Sequence, residues 1–544
     1  MLKRLAGGHV IDPANGRDEI GDVWFRDERI VAPPANGRAD ETYDATGMIV
    51  LAGAIDVHSH IAGSNETLGR LLLPEQRYAA FMHPGHAPNP AGAWNTFETG
   101  RLYAAMGFTT VVEPAVLPEH AIQAHLELAD IPIIDKATLT VLGNDDFLLN
   151  LLRRREGHDA VCDYLAWTLA TSRGLGIKTI NAGGAAAFKD NVRAFSLDDE
   201  VPEYGVSSRA IFKALQQAVH ELHLPHPLHL HCNNLGLAGN AETALATIDA
   251  AEGVPLHLAH LQFYSYGKEG PRGFSSAAAQ LAEVVNKAKN LTVDIGQVMF
   301  GQTVTISADV LRQFNARNSA RPKKWIILDG DSNGAGIVPY AYRATDFYNA
   351  VQWAAGLELF LLINDPWRVL FTTDHPNGAP FTAYPDILAL LMDRNLRAEW
   401  ITKLPKEAIE VTTLPSIGRE YTLHDIAVMT RAAPARLLGL KDRGHLGDGA
   451  IADIAVYAPG EDKAAMFRNA ALVFKSGELV VRDGDVLRQP FGRTLTVRPA
   501  RERAIERRLR DYYDDRYGLA PDFMTVTDSA IGRPELFETV PCLT

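Results

Sequence analysis

Two histidines one residue apart, at the end of a short apolar run, constrain this chain more than any other feature. Met48-Ile-Val-Leu51 leads into Ala54-Ile-Asp-Val-His58-Ser-His60. In a β-strand the side chains at i and i+2 point the same way, so His58 and His60 share a face. Two neutral imidazoles on one rigid strand end form half of a zinc site. A His-x-His pair alone is a weak signal, and its weight comes from residues further along the chain.

Those residues lie at the ends of apolar segments. Gly176-Ile-Lys-Thr-Ile180 buries Lys178 among aliphatic neighbours. Burial makes a charged amine costly, lowers its pKa and leaves it open to carbamylation by CO2, which would turn it into a long carboxylate able to bridge two metals. In His229-Leu-His231 both imidazoles share a face. His231 is preferred as the ligand because it sits nearer the strand end, and His229 stays open. His260 and His257 fall on opposite faces; His260, leading into Leu261-Gln262, is the ligand choice and His257 reads as a packed core histidine. Asp374 closes Val369-Leu-Phe-Thr-Thr373, and a carboxylate there needs a partner or a metal and can carry a proton. Asn233, Asn234 and Gln262, adjacent to these ligands, are candidate substrate contacts.

The same segments set the fold. Thr109–Glu113, Gly176–Asn181, Pro227–His231, Pro255–His260, Leu291–Ile295 and Val369–Asp374 read as parallel strands alternating with helical patterns. Metal-binding or charged residues recur at their C-terminal ends, where a (β/α)8 barrel gathers its catalytic face. No Gly-rich phosphate loop follows the first strand, which argues against a doubly wound sheet. Residues 1–50 carry short strands with too few residues to bury a sheet alone, and residues 441–500 supply matching texture. The expected class is α/β: a TIM-like barrel over 51–440 with a small β-sandwich built from 1–50 and 441–500. In the extension 501–544, Ile505, Leu509, Tyr512 and Tyr513 fall at helical spacing within Arg501–Tyr513, giving a helix for packing on the barrel or contacting another subunit.

Composition narrows the class of partner. A chain of 544 residues, 47% hydrophobic, can bury one large core and a smaller one. Its net charge of −13 argues against general nucleic-acid binding. No apolar run suits a membrane helix, the start lacks a signal-peptide core, and three cysteines make no disulfide framework, so a reducing cytoplasm is the expected compartment.

Leu51-Ala-Gly-Ala-Ile-Asp-Val-His-Ser-His60 resembles the first-strand signature of the amidohydrolase superfamily, with Leu51-Ala52 where Pro-Gly is usual. Arg431-Ala-Ala-Pro-Ala-Arg-Leu-Leu-Gly-Leu440 and Gly447–Val456 resemble its passage from barrel to β domain. Gly176–Gly184, His229–Gly236, Ala259–Gly267 and Thr373–Phe381 are similar to the A subunit of formylmethanofuran dehydrogenase and of the bacterial formyltransferase/hydrolase complex. Asn181-Ala-Gly-Gly departs from the Asn-Pro-Gly-Gly of the archaeal subunits. The resemblance implies a metallo-hydrolase barrel with His58, His60, Lys178, His231, His260 and Asp374 around one or two zinc ions, Lys178 carbamylated if it bridges. It implies hydrolysis, or formation, of the N-formyl group on a furan-type C1 carrier, with Asp374 moving the proton and other complex subunits as partners. A cyclic amidase of dihydroorotase or hydantoinase type shares barrel and ligands but has no need of Gln262-Phe-Tyr-Ser-Tyr-Gly267. A silent scaffold would have lost ligands, and all six positions hold residues able to bind.

Overall fold

A computed structural model describes residues 1–70, 72, 96–307, 309–321, 336–501 and 505–543. Eight parallel strands follow one another in space as in sequence: β1 (Ala54–Asp56), β2 (Phe108–Val116), β3 (Asp135–Val141), β4 (Gly176–Ile180), β5 (Leu228–His231), β6 (Leu256–Leu258), β7 (Leu291–Asp294) and β8 (Val369–Leu370). A parallel bridge between Ser59 and His375 joins the last strand to the first, closing the barrel. Most strand residues are buried, as parallel strands covered by helices require. The covering helices are amphipathic. In Ser208–Glu221 the Ser207 hydroxyl accepts from the Ala210 N–H at 3.2 Å, while Ile211, Leu215, Ala218 and Val219 face inward.

The two chain ends meet in one sheet. Ile49–Ala52 pairs with strand Leu2–Asp12 on one side and with Ile454–Tyr457 on the other, and the path continues to Leu472–Lys475 and Glu478–Arg482. Phe25 and Phe474 stand four strand steps apart, about 19 Å if the sheet were flat, yet their rings are 5.2 Å apart. The sheet therefore folds over itself and encloses a core of its own, with Val10, Val50, Ile454 and Phe474 inside.

The grouping of 441–500 with this end domain needs correction at its far end. Strand β9 (Thr494–Val497) pairs in parallel with the first half of β3, and β10 (Phe537–Val540) pairs with β9. Leu495 and Val497 are fully buried there, which gives the segment a reason to leave the end domain. Asp135, at the start of β3, pins the three regions together. It accepts from Arg443 at 2.8 Å, lies 2.9 Å from Lys475 and takes the Arg493 N–H at 2.7 Å. Lys475 also meets Asp453 at 2.6 Å, and Arg443 meets Glu538 at 2.9 Å.

Of the expected tail helix, residues 502–504 lie outside the described residues. The remainder, α1 (Ile505–Tyr517), rests on this chain's own barrel. Tyr512 packs edge-on against Phe147 at 5.2 Å, and Leu509 is fully buried. No helix among the described residues is long and apolar enough to cross a membrane.

Candidate metal centre

The barrel's C-terminal face opens into a cavity of about 590 Å³ whose floor includes His60, Lys178, His231, His260 and Asp374. His58 lies just beneath, fully buried. The structure thus brings together all six residues singled out as ligands. Two of them sit just past their strands in left-handed backbone, His260 at φ 35° and Asp374 at φ 52°. Such conformations cost energy and persist where surrounding contacts over-determine them. The His260 N–H donates to Asp294 Oδ1 at 2.6 Å, and the Asp374 N–H to Thr372 Oγ1 at 3.0 Å. Gly296, itself at φ 68°, leaves room for the turn at His260, because a Cβ on it would stand 2.5 Å from the His260 Cβ.

Three donor atoms converge on one point. Asp374 Oδ1 is 3.1 Å from His58 Nε2 and 3.2 Å from His60 Nε2, and Lys178 Nζ is 3.1 Å from His58 Nε2. Yet Asp374 Oδ1 is buried without a hydrogen bond of acceptable geometry. An orphaned carboxylate oxygen facing two imidazole nitrogens fits a shared cation. Ligands about 2.0–2.1 Å from a tetrahedral zinc stand roughly 3.3 Å from one another. A second pair, His231 Nδ1 and His260 Nε2, lies 3.1 Å apart on the same cavity floor as Lys178. Lys178 is 1% exposed, and burial depresses its pKa although Asp374, Asp294 and Glu113 pull the other way. A neutral amine is the form that can take up CO2.

Behind these donors stands a layer of carboxylates that orients them. His58 Nδ1 donates to Asp294 Oδ2 at 3.0 Å, His60 Nδ1 to Glu113 Oε1 at 3.2 Å, and His231 Nε2 to Asp309 Oδ2 at 2.8 Å. A carboxylate can only accept, so each ring is held in the tautomer whose other nitrogen faces the centre. Burial works against charge on Asp294, but His58 and His257 outweigh it and hold its carboxyl far below the usual range. His60 is raised to about 10: burial opposes this, and the neighbouring Asp374 and Glu113 carboxylates overcome it.

His229 does not line the cavity; its Nε2 is 2.9 Å from His58 Nδ1 and its Nδ1 3.1 Å from His226. His257 is buried and meets Asp294 at 3.0 Å. The three expected substrate contacts do not line the cavity. Asn233 donates to Asn181, Asn234 holds Ser196, Thr243 and Arg312, and the Gln262 amide serves Tyr266 and the Gln352 carbonyl. Their amides brace loops, because the turns after β5 and β6 rotate them off the floor. Glu113, Asp294 and Asp309 were not singled out from sequence. Glu113 and Asp294 carried a usable signal, a carboxylate late in a core strand. Asp309 lies in the connection between the two strands of the inserted hairpin, Gly301–Ser307 and Gly336–Tyr342, and carried none.

A model of the Amidohydrolase family matches residues 41–488. The chain belongs to the amidohydrolase family. Within it, the chain is 51% identical over 550 residues to the A subunit of the formyltransferase/hydrolase complex Fhc of Methylorubrum extorquens, covering 100% of both chains. It is 38% identical over 517 residues to "Protein FwdA" of Methanocaldococcus jannaschii, covering 91% of this chain and 90% of that one. Its backbone matches a chain in the crystal structure of the FhcABCD formyltransferase/hydrolase complex from Methylorubrum extorquens, determined with methylofuran, with a TM-score of 0.93, 51% identity and 100% of both chains covered. D-aminoacylase, at 14% identity and a TM-score of 0.53 over 89% of this amidohydrolase and 97% of its own chain, shares the fold.

Proposed function

We propose that this amidohydrolase is the hydrolytic subunit of a cytoplasmic formyltransferase/hydrolase-type complex. It cleaves the N-formyl group of a methanofuran- or methylofuran-type C1 carrier to formate and the free amine, or runs the reverse condensation. The observation that carries this reading is the convergence of His58, His60 and Asp374 on one point, with Lys178, His231 and His260 beside it, on the floor of one cavity. Full-length likeness to a relative named as a component of such a complex supports the choice of a linear formamide over a cyclic amide. The intact ligand set speaks against a silent scaffold.

His58, His60 and Asp374 would hold one zinc ion, and His231 and His260 a second. Lys178 would serve both if carbamylated, its neutral amine forming an N–C bond to CO2 with loss of a proton. Bound zinc supplies a Lewis acid for the formyl oxygen and lowers the pKa of water. Asp374 takes the proton from the attacking water and returns it to the departing nitrogen as the C–N bond breaks. Asn377 steadies that carboxylate by donating to Oδ2 at 3.0 Å, which keeps Oδ1 aimed at the two imidazole nitrogens. Glu113, Asp294 and Asp309 keep the imidazoles aimed while this happens.

An anionic carrier tail needs positive charge; Lys189, Arg312 and Arg321 line the cavity, and Arg312 already serves Asn181, Phe195 and Asn234. Arg501 is engaged by Asp159 and Asp163, Arg508 by Glu156 and Arg510 by Asp522. Arg153, Arg154 and Arg155 are exposed and do not line the cavity. Lys189 and Arg321 begin the grip on the tail, a partner subunit completes it, and any redox or transferase step belongs to partners too. The test is formate release from N-formyl carriers by the zinc-loaded chain and by its native complex. Each is compared with His60→Ala, which should abolish release. A zinc-replete complex that releases no formate from any furan-type formamide refutes the reading.

A further inference from the structure

A second set of metal donors meets outside the catalytic cavity, whose lining includes none of them. His158 opens helix His158–Ser172 and Cys162 follows at i+4, so the two side chains share a face of that helix. Glu221 ends the helix Ser208–Glu221, which packs alongside. His158 Nε2 stands 2.8 Å from Glu221 Oε2 and 3.4 Å from Cys162 Sγ, and the three donor atoms all lie within 4.8 Å of one another. Cys162 is fully buried, which fixes its thiol, while the His158 and Glu221 side chains are 36% and 47% exposed and leave an ion a path from solvent. An ion pair between His158 and Glu221 does not account for the thiol, whose sulfur faces the same imidazole nitrogen. Glu221 is also held as a ligand is held. Its Oε1 accepts from Arg501 Nη1 at 3.3 Å, which keeps Oε2 aimed at His158. Arg501 is itself paired with Asp159 and Asp163, so three carboxylates stand against one guanidinium around the donors, and their field favours a cation.

We infer that His158, Cys162 and Glu221 form a binding site for a divalent ion of the zinc class, with water in the fourth position. A tetrahedral zinc places a sulfur ligand roughly 3.6 Å from a nitrogen ligand, and nitrogen roughly 3.3 Å from oxygen. The first spacing is already present. The second needs the Glu221 carboxylate to swing out by roughly 0.5 Å, which its exposure allows. As the sulfur–metal bond forms, the Cys162 proton passes to water. Burial, with Glu221 adding to it, pushes that thiol up to about 12 in the ion-free chain. An ion with affinity for thiolate and imidazole, such as zinc or cobalt(II), displaces the proton; magnesium and calcium, which prefer oxygen ligands, do not. The bound ion ties the two helices together and, through Arg501, reaches the start of the extension. Three ligands, two of them partly exposed, hold an ion more loosely than the barrel floor does. The site therefore fills from added metal, after the floor is occupied.

The experiment titrates cobalt(II) into the zinc-loaded, full-length chain. The floor's ligands offer only nitrogen and oxygen, so a sulfur-to-cobalt charge-transfer band reports the new site alone. Wild type should take up one further equivalent with that band, and added zinc, but not magnesium, should erase it. Cys162→Ser should remove the band, and Cys542→Ser, at a cysteine outside the cluster, should keep it. His158→Ala and Glu221→Gln, both at partly exposed positions that the fold can spare, should each weaken cobalt binding by at least about tenfold. No band at saturating cobalt overturns the site, as does a band that survives Cys162→Ser. Unchanged affinity in both His158→Ala and Glu221→Gln overturns it equally, whether or not Cys162→Ser folds.

Discussion

Replacing Asp135 by Asn removes one charge from a buried ionic cluster that ties three regions of the chain together, and leaves its volume in place. Asp135 is 1% exposed and faces Arg443 and Lys475, which are 2% and 3% exposed. Removing one member of a buried pair costs about 3–5 kcal/mol, because the remaining charge stays desolvated. Here both cations keep another acid, Lys475 through Asp453 and Arg443 through Glu538, so the lower end applies, about 3 kcal/mol. With an unfolding entropy near 2.1 cal/mol/K per residue, that is a fall in Tm of roughly 3 °C if all 544 residues unfold together. The fall is larger if the end domain melts separately. Urea unfolding at pH 7 followed by calorimetry measures both. The pH dependence gives a further check. Burial raises the Asp135 pKa, but Lys475 and Arg443 outweigh it and hold the carboxyl well below its usual range. Its contribution is therefore complete above an unfolded value of about 3.9 and fades as pH falls toward the folded value. The difference between wild type and variant should be flat from pH 7 to 5 and shrink below about pH 4. A penalty under about 1 kcal/mol at pH 7, or one that grows on acidification, would refute the assignment of Asp135 as the pin.

Elemental analysis should find one to two zinc equivalents in the purified chain; full occupancy in a His58→Ala/His60→Ala double variant would rule out the site. Glu113→Gln and Asp309→Asn should each weaken zinc binding by about 10–100-fold, read by competition with a chelator, and unaltered affinity in both would mean these carboxylates do not orient ligands. Lys178→Ala should lose activity and regain part of it with short carboxylates, while the intact wild-type chain should carry the added mass of one CO2. A zinc-loaded, active enzyme with a bare lysine would exclude the bridge. Gly296→Ala drives a methyl group to 2.5 Å from the His260 Cβ and should cut turnover with little change in stability elsewhere; wild-type turnover would show that the strand end can yield.

One physical divide separates the residues that were legible in the sequence from those that were not. His58 and His60, Lys178, His231, His260 and Asp374 stood out because polar groups at the ends of apolar strands are conspicuous and need a reason. The strand Asp135–Val141 was missed by the same logic. Its buried Asp135 and Lys136 and its threonines look like surface residues until their partners, supplied by residues 443, 475 and 492, are known. Asn233, Asn234 and Gln262 were placed by nearness in the chain, but the turn after a strand decides where a side chain points. That Tyr512, Tyr513 and Phe523 line the cavity was invisible because they come from an extension whose helical spacing announces only that it packs, not on what.

The end domain also sets a schedule for synthesis. Ile49–Ala52 hydrogen-bonds on one edge to a strand made just before it, and on the other to Ile454–Tyr457. At 5–20 residues per second, that second edge waits on the order of 20–80 s on the ribosome for its partner. During that interval Val50 and Leu51, fully buried in the finished protein, have only half their cover. The nascent chain thus carries a bare, apolar strand edge through the whole period in which the barrel is assembled, and its yield in a cell should depend on whatever shields that edge until the last strands arrive.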